Sequence, residues 1–200
     1  VETVKLHCEP NGQFPHNPEP LKQHLTDLSE KVVSTNADFG IAVDPDVDRL
    51  AFMDEKGIMF GEEYTLVACA DYILSQKPGN TVSNLSSTRA LRDVTEKHGG
   101  TYTASAVGEV NVVNAMKANK AVIGGEGNGG IIYPESHYGR DALVGVALFL
   151  SLLAERKMAV SELRASYPSY FMSKKKIDLN PSIDVDAILV AMEAKYAHEQ

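Results

Sequence analysis

The chain has 200 residues, of which 44% are hydrophobic and 23% are charged, and its formal net charge is −8. This composition is typical of a globular protein with one large domain or two small ones. The acidic balance argues against a general nucleic-acid surface and against an acidic-membrane surface. Cys8 and Cys69 form neither a C-x-x-C metal pair nor a disulfide framework, which favours a reducing cytoplasm. The longest apolar stretch, residues 142–154, is too short to cross a bilayer.

The first part of the chain alternates between strand-like and helix-like segments. The predicted elements, in chain order, are a strand at residues 4–8, a helix at 21–32, a strand at 39–43, a hairpin of 50–53 with 58–60, and a helix at 62–74. The apolar run 39–43 is bounded by turn residues, which is typical of a buried strand.

A helix breaker at residues 77–80, Lys-Pro-Gly-Asn, precedes a second alternating set. Strands are predicted at 81–85, 101–105 and 121–124, and helices at 89–98, 110–118 and 142–155. Strand-helix-strand repetition at this spacing predicts a mainly parallel sheet covered by helices on both faces. In the tail we predict an extended run at 170–179 and an amphipathic helix at 183–197, too short for a separate core.

These patterns predict an α/β protein with two consecutive three-layer domains, mainly parallel mixed sheets and a short C-terminal extension. We expect a first domain at residues 1–76 and a second at residues 77–169. Residues 170–200 would be a linker and the start of a further domain. The sequence begins at Val1 without a methionine, so we expect a fragment of a longer protein.

Three aspartates at alternate positions, Asp44, Asp46 and Asp48, follow the predicted strand 39–43. Carboxylates this close repel one another unless a cation holds them. Oxygen-only ligands suit a hard ion such as Mg2+ or Ca2+. Arg49 comes next, and a guanidinium in this place is suited to holding a phosphate. Residues 44–49, called the aspartate loop below, therefore predict a metal site at the end of a strand.

The aspartate loop has other interpretations. With Glu55, the three aspartates match the spacing of a calcium-binding EF-hand, but Arg49 stands where that loop needs glycine, and strands flank it, which excludes an EF-hand. An aspartyl-phosphate phosphatase would use Asp44 as its nucleophile and a hydroxyl such as that of Ser86 after a later strand. The third interpretation is a solvated acidic turn.

Residues 124–130, Gly-Gly-Glu-Gly-Asn-Gly-Gly, are called the glycine loop below. They match the spacing of a dinucleotide-binding fingerprint, but an extended apolar segment follows where a helix should begin. A P-loop is excluded because no Lys-Ser or Lys-Thr follows the glycines. Glu126 and the amide of Asn128 among glycines are suited to sugar hydroxyls, with close approach of the backbone. The alternative is a flexible turn.

Four loops follow predicted strands, at residues 44–49, 86–89, 105–109 and 124–130. In open α/β sheets, ligands bind outside the carboxyl ends of the strands. We therefore expect these loops to converge on one cleft.

In their order and spacing these motifs resemble the α-D-phosphohexomutases, which include phosphomannomutases, phosphoglucomutases and phosphoglucosamine mutases. Residues 44–49 match the Asp-x-Asp-x-Asp-Arg metal loop of that family in full. Residues 125–130 are similar to its sugar-binding loop, commonly Gly-Glu-x-Ser-Gly-His. Further similarities lie at residues 11–15, 17–20, 61–62, 107–108 and 139–142, so the resemblance covers roughly residues 9–170.

The resemblance implies phosphoryl transfer on a hexose phosphate through a hexose 1,6-bisphosphate, without nucleic acid or membrane. It assigns Mg2+ to Asp44, Asp46 and Asp48 and the phosphoryl group to Arg49. It assigns binding of the sugar phosphate to the loops at residues 105–109 and 124–130, through the residues Gly108, Glu109, Gly125, Glu126, Asn128 and Gly129.

The chain departs from the family pattern at Gly130, which replaces a histidine, at Asn128, which replaces a serine, and at Ala106, which replaces a lysine. These departures leave the sugar open among mannose, glucose and glucosamine phosphates. The phosphoserine loop and the substrate-phosphate motif of the family are absent from the 200 residues. We therefore expect the chain to carry the metal and sugar loops without turning over substrate by itself. A non-catalytic module that binds a sugar phosphate or a divalent ion is the alternative.

Overall fold

The computed structural model describes residues 1–173, 178–180 and 182–198. The chain divides into two compact units, Val1–Tyr170 and Phe171–Gln200. The helices of the first unit are a 3-10 turn at Lys22–His24, α1 (Thr26–Thr35), α2 (Glu62–Gln76), α3 (Ala90–Lys97), α4 (Glu109–Asn119), α5 (Ala142–Arg156) and α6 (Val160–Ala165). Its strands are β1 (Gly40–Val43), β2 (Leu50–Met53), β3 (Asn80–Asn84), β4 (Tyr102–Ser105), β5 (Ala121–Glu126) and β6 (Gly130–Ile132). The second unit contains α7 (Val185–Tyr196), which begins at the capping side chain of Asp184.

The strands form two sheets. β1 and β2 pair antiparallel, with Val43 opposite Leu50. The second sheet has the order β4-β3-β5-β6, in which β4, β3 and β5 are parallel and β6 runs antiparallel to β5. The predicted α/β class with a mainly parallel sheet is confirmed, and the parallel strands are β3, β4 and β5. Because these strands end on the same side, Asn84, Ser105 and Glu126 lie at one edge of the sheet.

The main core connects both sheets through α2 and α5. α2 has ten buried residues, as expected of a helix that is apolar on most sides. Phe52 of β2 stacks on Phe149 of α5 with the ring centroids 3.7 Å apart, and Phe60 meets Phe149 edge-on at 5.2 Å. β2 therefore shares its core with the helices of the second sheet, which fixes the aspartate loop at the start of β2 relative to that sheet.

A buried carboxylate connects four helices on the same core. Asp71 of α2 is 2% exposed, and its Oδ1 lies 2.7 Å from Nε2 of His98, the residue after α3. Its Oδ2 accepts hydrogen bonds from Arg156 Nη2 of α5 at 3.0 Å and from the hydroxyl of Tyr167, beyond α6, at 3.1 Å. Each partner lies in or just after a different helix, so Asp71 with His98, Arg156 and Tyr167, called the Asp71 cluster below, connects α3, α5 and α6 to α2.

Two expectations for the first part of the chain are wrong. Residues 4–8 form no strand, because His7 has φ of 54°, which interrupts an extended run. The strand predicted at 39–43 exists as β1, but Ile41 is 39% exposed and Val43 is 43% exposed. The fully buried strand is its partner β2, since β1 lies on the outside of the pair.

The later predictions agree more closely with the structure. Strands and helices predicted from residue 62 to residue 155 occur within two residues of their expected bounds, and the helix predicted at 183–197 is confirmed as α7. The extended run predicted at 170–179 falls partly on residues 174–177, outside the described residues. The domain boundaries after residues 76 and 169 stay predictions. Among the described residues, the helices are too short or too polar to span a membrane.

Candidate functional site

The aspartate loop is folded around the carboxylate of Asp44. Asp44 is buried, and its Oδ1 accepts hydrogen bonds from the backbone amides of Asp48 at 3.0 Å and Arg49 at 2.9 Å. Its Oδ2 accepts a hydrogen bond from Arg49 Nε at 2.6 Å. The Asp44 amide donates in turn to the Arg49 carbonyl at 3.3 Å. The first aspartate therefore holds the loop in shape, next to the point where β1 and β2 pair.

Val47, in the middle of the loop, has φ of 58°, a left-handed conformation that is rare for a β-branched residue. Such a conformation costs about 1–3 kcal/mol and persists only where the surroundings hold it. The Val47 amide donates to the Asp44 carbonyl at 3.1 Å, and the Val47 carbonyl accepts a hydrogen bond from the Ala142 amide at 3.1 Å. The strained residue is thus tied to the first turn of α5.

The aspartates of the loop differ in acidity. Burial alone would raise the pKa of Asp44, but hydrogen bonds from Arg49 and Asp48 outweigh burial and hold that pKa below its usual value. Burial and the neighbouring Asp44 raise the pKa of Asp48 to about 6, against the opposing charge of Arg140. Asp44 is therefore a fixed anion, whereas Asp48 takes up a proton in mildly acidic solution.

The three aspartates fit a hard divalent cation. Asp44, Asp46 and Asp48 each offer one carboxylate oxygen, and these oxygens lie within 4.8 Å of one another. Oxygen ligands bind Mg2+ at about 2.1 Å and Ca2+ at about 2.3–2.6 Å, so one ion reaches all three oxygens after small side-chain movements. Asp46 is exposed and Asp48 is half-buried, which leaves a path from solvent to the cluster.

The glycine loop contacts the first residue of β2, directly after the aspartate loop. The Gly129 carbonyl accepts a hydrogen bond from the amide of Leu50, the residue after Arg49, at 3.1 Å. Gly129 has φ of 92°, and a side chain there would overlap the Leu50 carbonyl oxygen. Glycine is therefore required for this contact. The loop continues into β6 and not into a helix, which excludes a dinucleotide-binding turn, as the sequence indicated.

Glu126, at the end of β5, is buried and has a protein partner on each oxygen. Asn84 Nδ2 donates to Oε1 at 2.7 Å, and Arg140 Nη1 donates to Oε2 at 2.8 Å. Asn84 ends β3, and its Oδ1 accepts a hydrogen bond from Ser87 Oγ at 2.7 Å. The carboxylate is therefore oriented by the protein, and each oxygen keeps the capacity to accept a further hydrogen bond.

Arg140 joins the aspartate loop, the glycine loop and the start of α4. Its guanidinium forms ion pairs with Asp48, with Glu126 at 2.8 Å and with Glu109 at 3.3 Å. Its backbone amide also donates to Glu109 Oε1 at 3.2 Å. Sequence reasoning missed both Arg140 and Asn84. A single arginine in a loop belongs to no motif, whereas Asn84 lies next to the end of the strand predicted at residues 81–85, where ligands bind in open α/β sheets.

The other residues singled out in the sequence lie at the same edge. Gly108 precedes α4, Glu109 begins it, and Gly125 pairs with Ile131 in the β5–β6 hairpin. Asn128 Oδ1 accepts a hydrogen bond from the Gly130 amide at 3.2 Å. The loop after β3 also touches the glycine loop, since a Cβ on Gly127 would lie 2.7 Å from the Ser86 carbonyl oxygen. The structure therefore brings together all four loops that follow predicted strands.

The position of Asp44 argues against its use as a nucleophile. A nucleophilic carboxylate has to present an oxygen to its substrate. Asp44 is 2% exposed, and both of its oxygens accept hydrogen bonds from its own loop. Burial therefore argues against attack by Asp44 on a phosphorus atom, whereas Oδ2, which accepts a single hydrogen bond, keeps a lone pair for a cation. Asp46, which is exposed, also suits a solvated acidic turn.

Two family models match the chain. The one described as phosphoglucomutase/phosphomannomutase, alpha/beta/alpha domain II, matches residues 1–57, and the one described as domain III matches residues 53–170. A phosphoglucomutase/phosphomannomutase of Thermococcus kodakarensis is 34% identical over 88% of this chain and 39% of its own length. A phosphoglucosamine mutase of Nitratidesulfovibrio vulgaris is 36% identical over 82% of this chain and 37% of its own length.

A solved structure shows the same fold. It is that of a phosphoglucomutase/phosphomannomutase family protein from Burkholderia thailandensis, which is 29% identical to this chain with a TM-score of 0.70. The likeness covers 77% of this chain and 34% of that protein. The chain thus spans well under half the length of these relatives.

Proposed function

The chain belongs to the phosphoglucomutase/phosphomannomutase family, and from this premise we propose that it carries the cation-binding and sugar-binding loops of a hexose phosphate mutase. The proposed activity interconverts a hexose 1-phosphate and a hexose 6-phosphate through a hexose 1,6-bisphosphate. One observation carries the proposal: the glycine loop contacts Leu50, the residue that follows the aspartate loop, and Arg140 pairs with one carboxylate in each loop. Glucose, mannose and glucosamine phosphates are all candidate substrates.

In this proposal, Asp44, Asp46 and Asp48 hold Mg2+. The ion, when bound, neutralises charge that develops on the transferred phosphoryl group. Arg49 keeps Asp44 in place through its Nε, while its side chain stays 29% exposed. Its Nη1 lies 3.5 Å from Glu19 Oε1 in a partly exposed ion pair, so a phosphoryl group would compete with Glu19 for this nitrogen.

The sugar would contact the glycine loop. Glu126 is held by Asn84 and Arg140, so its carboxylate accepts hydrogen bonds from sugar hydroxyls without first having to be oriented. The glycines around it leave the backbone open to close approach. Gly108 and Glu109, at the start of α4, would line the same cleft beside Arg140. We place the activity in the cytoplasm, since Cys8 and Cys69 are both free thiols.

We expect binding at both loops to be visible residue by residue. In an amide NMR titration of the labelled chain, Mg2+ should shift the signals of residues 44–49. Glucose 1,6-bisphosphate, added next, should shift those of residues 125–130. The complete gene product should interconvert glucose 1-phosphate and glucose 6-phosphate, or the glucosamine pair, in a coupled assay. If the amide signals of neither loop shift, or if the gene product is inactive on every hexose phosphate, the proposal is contradicted.

The aspartyl-phosphate alternative has its own signature. A phosphatase that used Asp44 would form an acyl phosphate, which hydroxylamine cleaves at that residue. In the proposed mutase, Asp44 stays unmodified after incubation with a phosphorylated substrate. Mass spectrometry of the peptide that contains residues 44–49 separates the two mechanisms.

We expect Mg2+ to bind more weakly in mildly acidic solution. The pKa of Asp48 is raised to about 6, mainly by burial, so this carboxylate is an anion above that pH and carries a proton below it. Because a bound proton competes with the cation, Mg2+ affinity should fall about tenfold from pH 7 to pH 5. Isothermal titration at both pH values measures the difference. The variant Asp48→Asn should bind Mg2+ weakly at both pH values. If the wild type binds Mg2+ equally well at pH 7 and pH 5, the prediction is wrong.

A further inference from the structure

We propose that Arg140 is a positioning residue that couples cation binding at the aspartate loop to the orientation of Glu126 in the glycine loop. The inference rests on the proposed cation site, but it needs neither a sugar nor turnover. It concerns one guanidinium that is shared between two carboxylates, Asp48 in the first loop and Glu126 in the second.

The first half of the coupling is competition for Asp48. Arg140 Nη2 forms an ion pair with Asp48 Oδ2, and Asp48 belongs to the cluster that fits a divalent cation. A divalent ion at this cluster attracts the Asp48 carboxylate more strongly than a single positive charge does and repels the guanidinium. Cation binding is therefore expected to loosen the contact between Arg140 and Asp48.

The second half is the dependence of Glu126 on Arg140. Asn84 holds Oε1 of Glu126, and Arg140 holds Oε2. Arg140 Nε also lies 3.3 Å from Glu109 Oε2, an ion pair without hydrogen-bond geometry. A guanidinium released by Asp48 still has two carboxylate partners, so it shifts toward them instead of moving into solvent, and Glu126 Oε2 moves with it.

Gly130 supplies the space for this arrangement. A Cβ at Gly130 would lie 2.5 Å from Cδ of Arg140, so a side chain at this position would collide with the arginine stem. The observed position of the Arg140 side chain therefore depends on a glycine at residue 130.

The test uses Mg2+ alone and the isotopically labelled 200-residue chain. In the wild type, Mg2+ should shift the amide signals of residues 44–49 and also those of residues 126–130. In Arg140→Met, which keeps the apolar stem without the charge, Mg2+ should shift the first set and leave the second set in place. Its Mg2+ affinity should rise about fivefold, since the competing ion pair is gone. Arg92→Met removes an exposed arginine paired with Glu96 at 3.9 Å and should respond like the wild type.

A second variant keeps the test decisive if Arg140→Met does not fold. Arg140→Lys retains the charge, but a single ammonium cannot hold Asp48 and Glu126 in the same fork-shaped geometry, so the shifts at residues 126–130 should again be lost. Shifts at residues 44–49 alone in the wild type would overturn this inference and leave the proposed function intact. If Mg2+ shifts no amide signal at residues 44–49, both the coupling through Arg140 and the proposed function are contradicted. Shifts at 126–130 that persist in the Arg140 variants would assign the coupling to the backbone contact between Leu50 and Gly129, and not to Arg140.

Discussion

Replacing Asp46 with asparagine should lower the Mg2+ affinity of the chain by about a hundredfold, or ~3 kcal/mol of binding free energy, without altering the fold. Asp46 is exposed, whereas Asp44 also holds the aspartate loop together through two backbone amides. Asp46 is therefore the position at which a carboxylate can be removed from the cluster with the least effect on structure. Isothermal titration with Mg2+ measures the loss, and the amide spectrum without metal reports the fold.

The matched control is Asp38→Asn. Asp38 precedes β1, and Asp46 lies in the loop that follows the same strand, so both variants lose one negative charge near one element. Asp38→Asn should change the affinity by less than about twofold, because long-range effects of a single exposed charge are screened by salt. An Asp46→Asn variant with wild-type affinity would remove the basis for a cation site at residues 44–48.

Replacing Asp71 with asparagine should lower the free energy of unfolding by about 3 kcal/mol. The change leaves the guanidinium of Arg156 and the buried hydroxyl of Tyr167 without their anionic partner. It also brings an amide group, which donates hydrogen bonds, close to groups that donate as well. For a unit of this size, the melting temperature should fall by roughly 6–12 °C in a thermal denaturation experiment.

Glu96→Gln serves as the control for Asp71→Asn. It makes the same carboxylate-to-amide change on α3, but its ion pair with Arg92 is exposed and 3.9 Å long. Such a pair contributes less than about 1 kcal/mol, so the melting temperature should barely change. Mg2+ affinity at a temperature where both variants are folded should stay at the wild-type value, since neither residue lies at the aspartate loop. If Asp71→Asn lowers the melting temperature as little as Glu96→Gln does, the hydrogen bonds of the Asp71 cluster do not stabilise the fold.

The sequence predicts those parts of the site that depend on neighbours along the chain. Three aspartates after a strand and glycines after another strand are local signals, and the structure places both loops at one edge, as the strand-end rule requires. Leu50–Met53 and the helices after residue 61 are also local patterns, with apolar spacing that matches their structure.

The sequence does not predict features that arise from contacts between distant residues. The aspartate loop and the residue after it are held against the rest of the fold by Val47, which pairs with Ala142, and by Leu50, which pairs with Gly129, and both partners lie far along the chain. The left-handed conformation of Val47 runs against the preference of a β-branched residue, so no propensity could indicate it. Arg140 acquires its role from three carboxylates on three different segments, none of which lies near it in sequence.

The two family models meet at residues 53–57, yet the main-chain hydrogen bonds from Leu50 to Gly129 and from Ala142 to Val47 cross from one side of that junction to the other. A hinge at the junction would have to break both bonds and release the strained backbone of Val47. The aspartate loop is therefore tied by main-chain hydrogen bonds to the part of the chain that carries the glycine loop. Under the proposed function, a sugar would therefore enter the cleft without a hinge motion between the cation-binding loop and the sugar-binding loop.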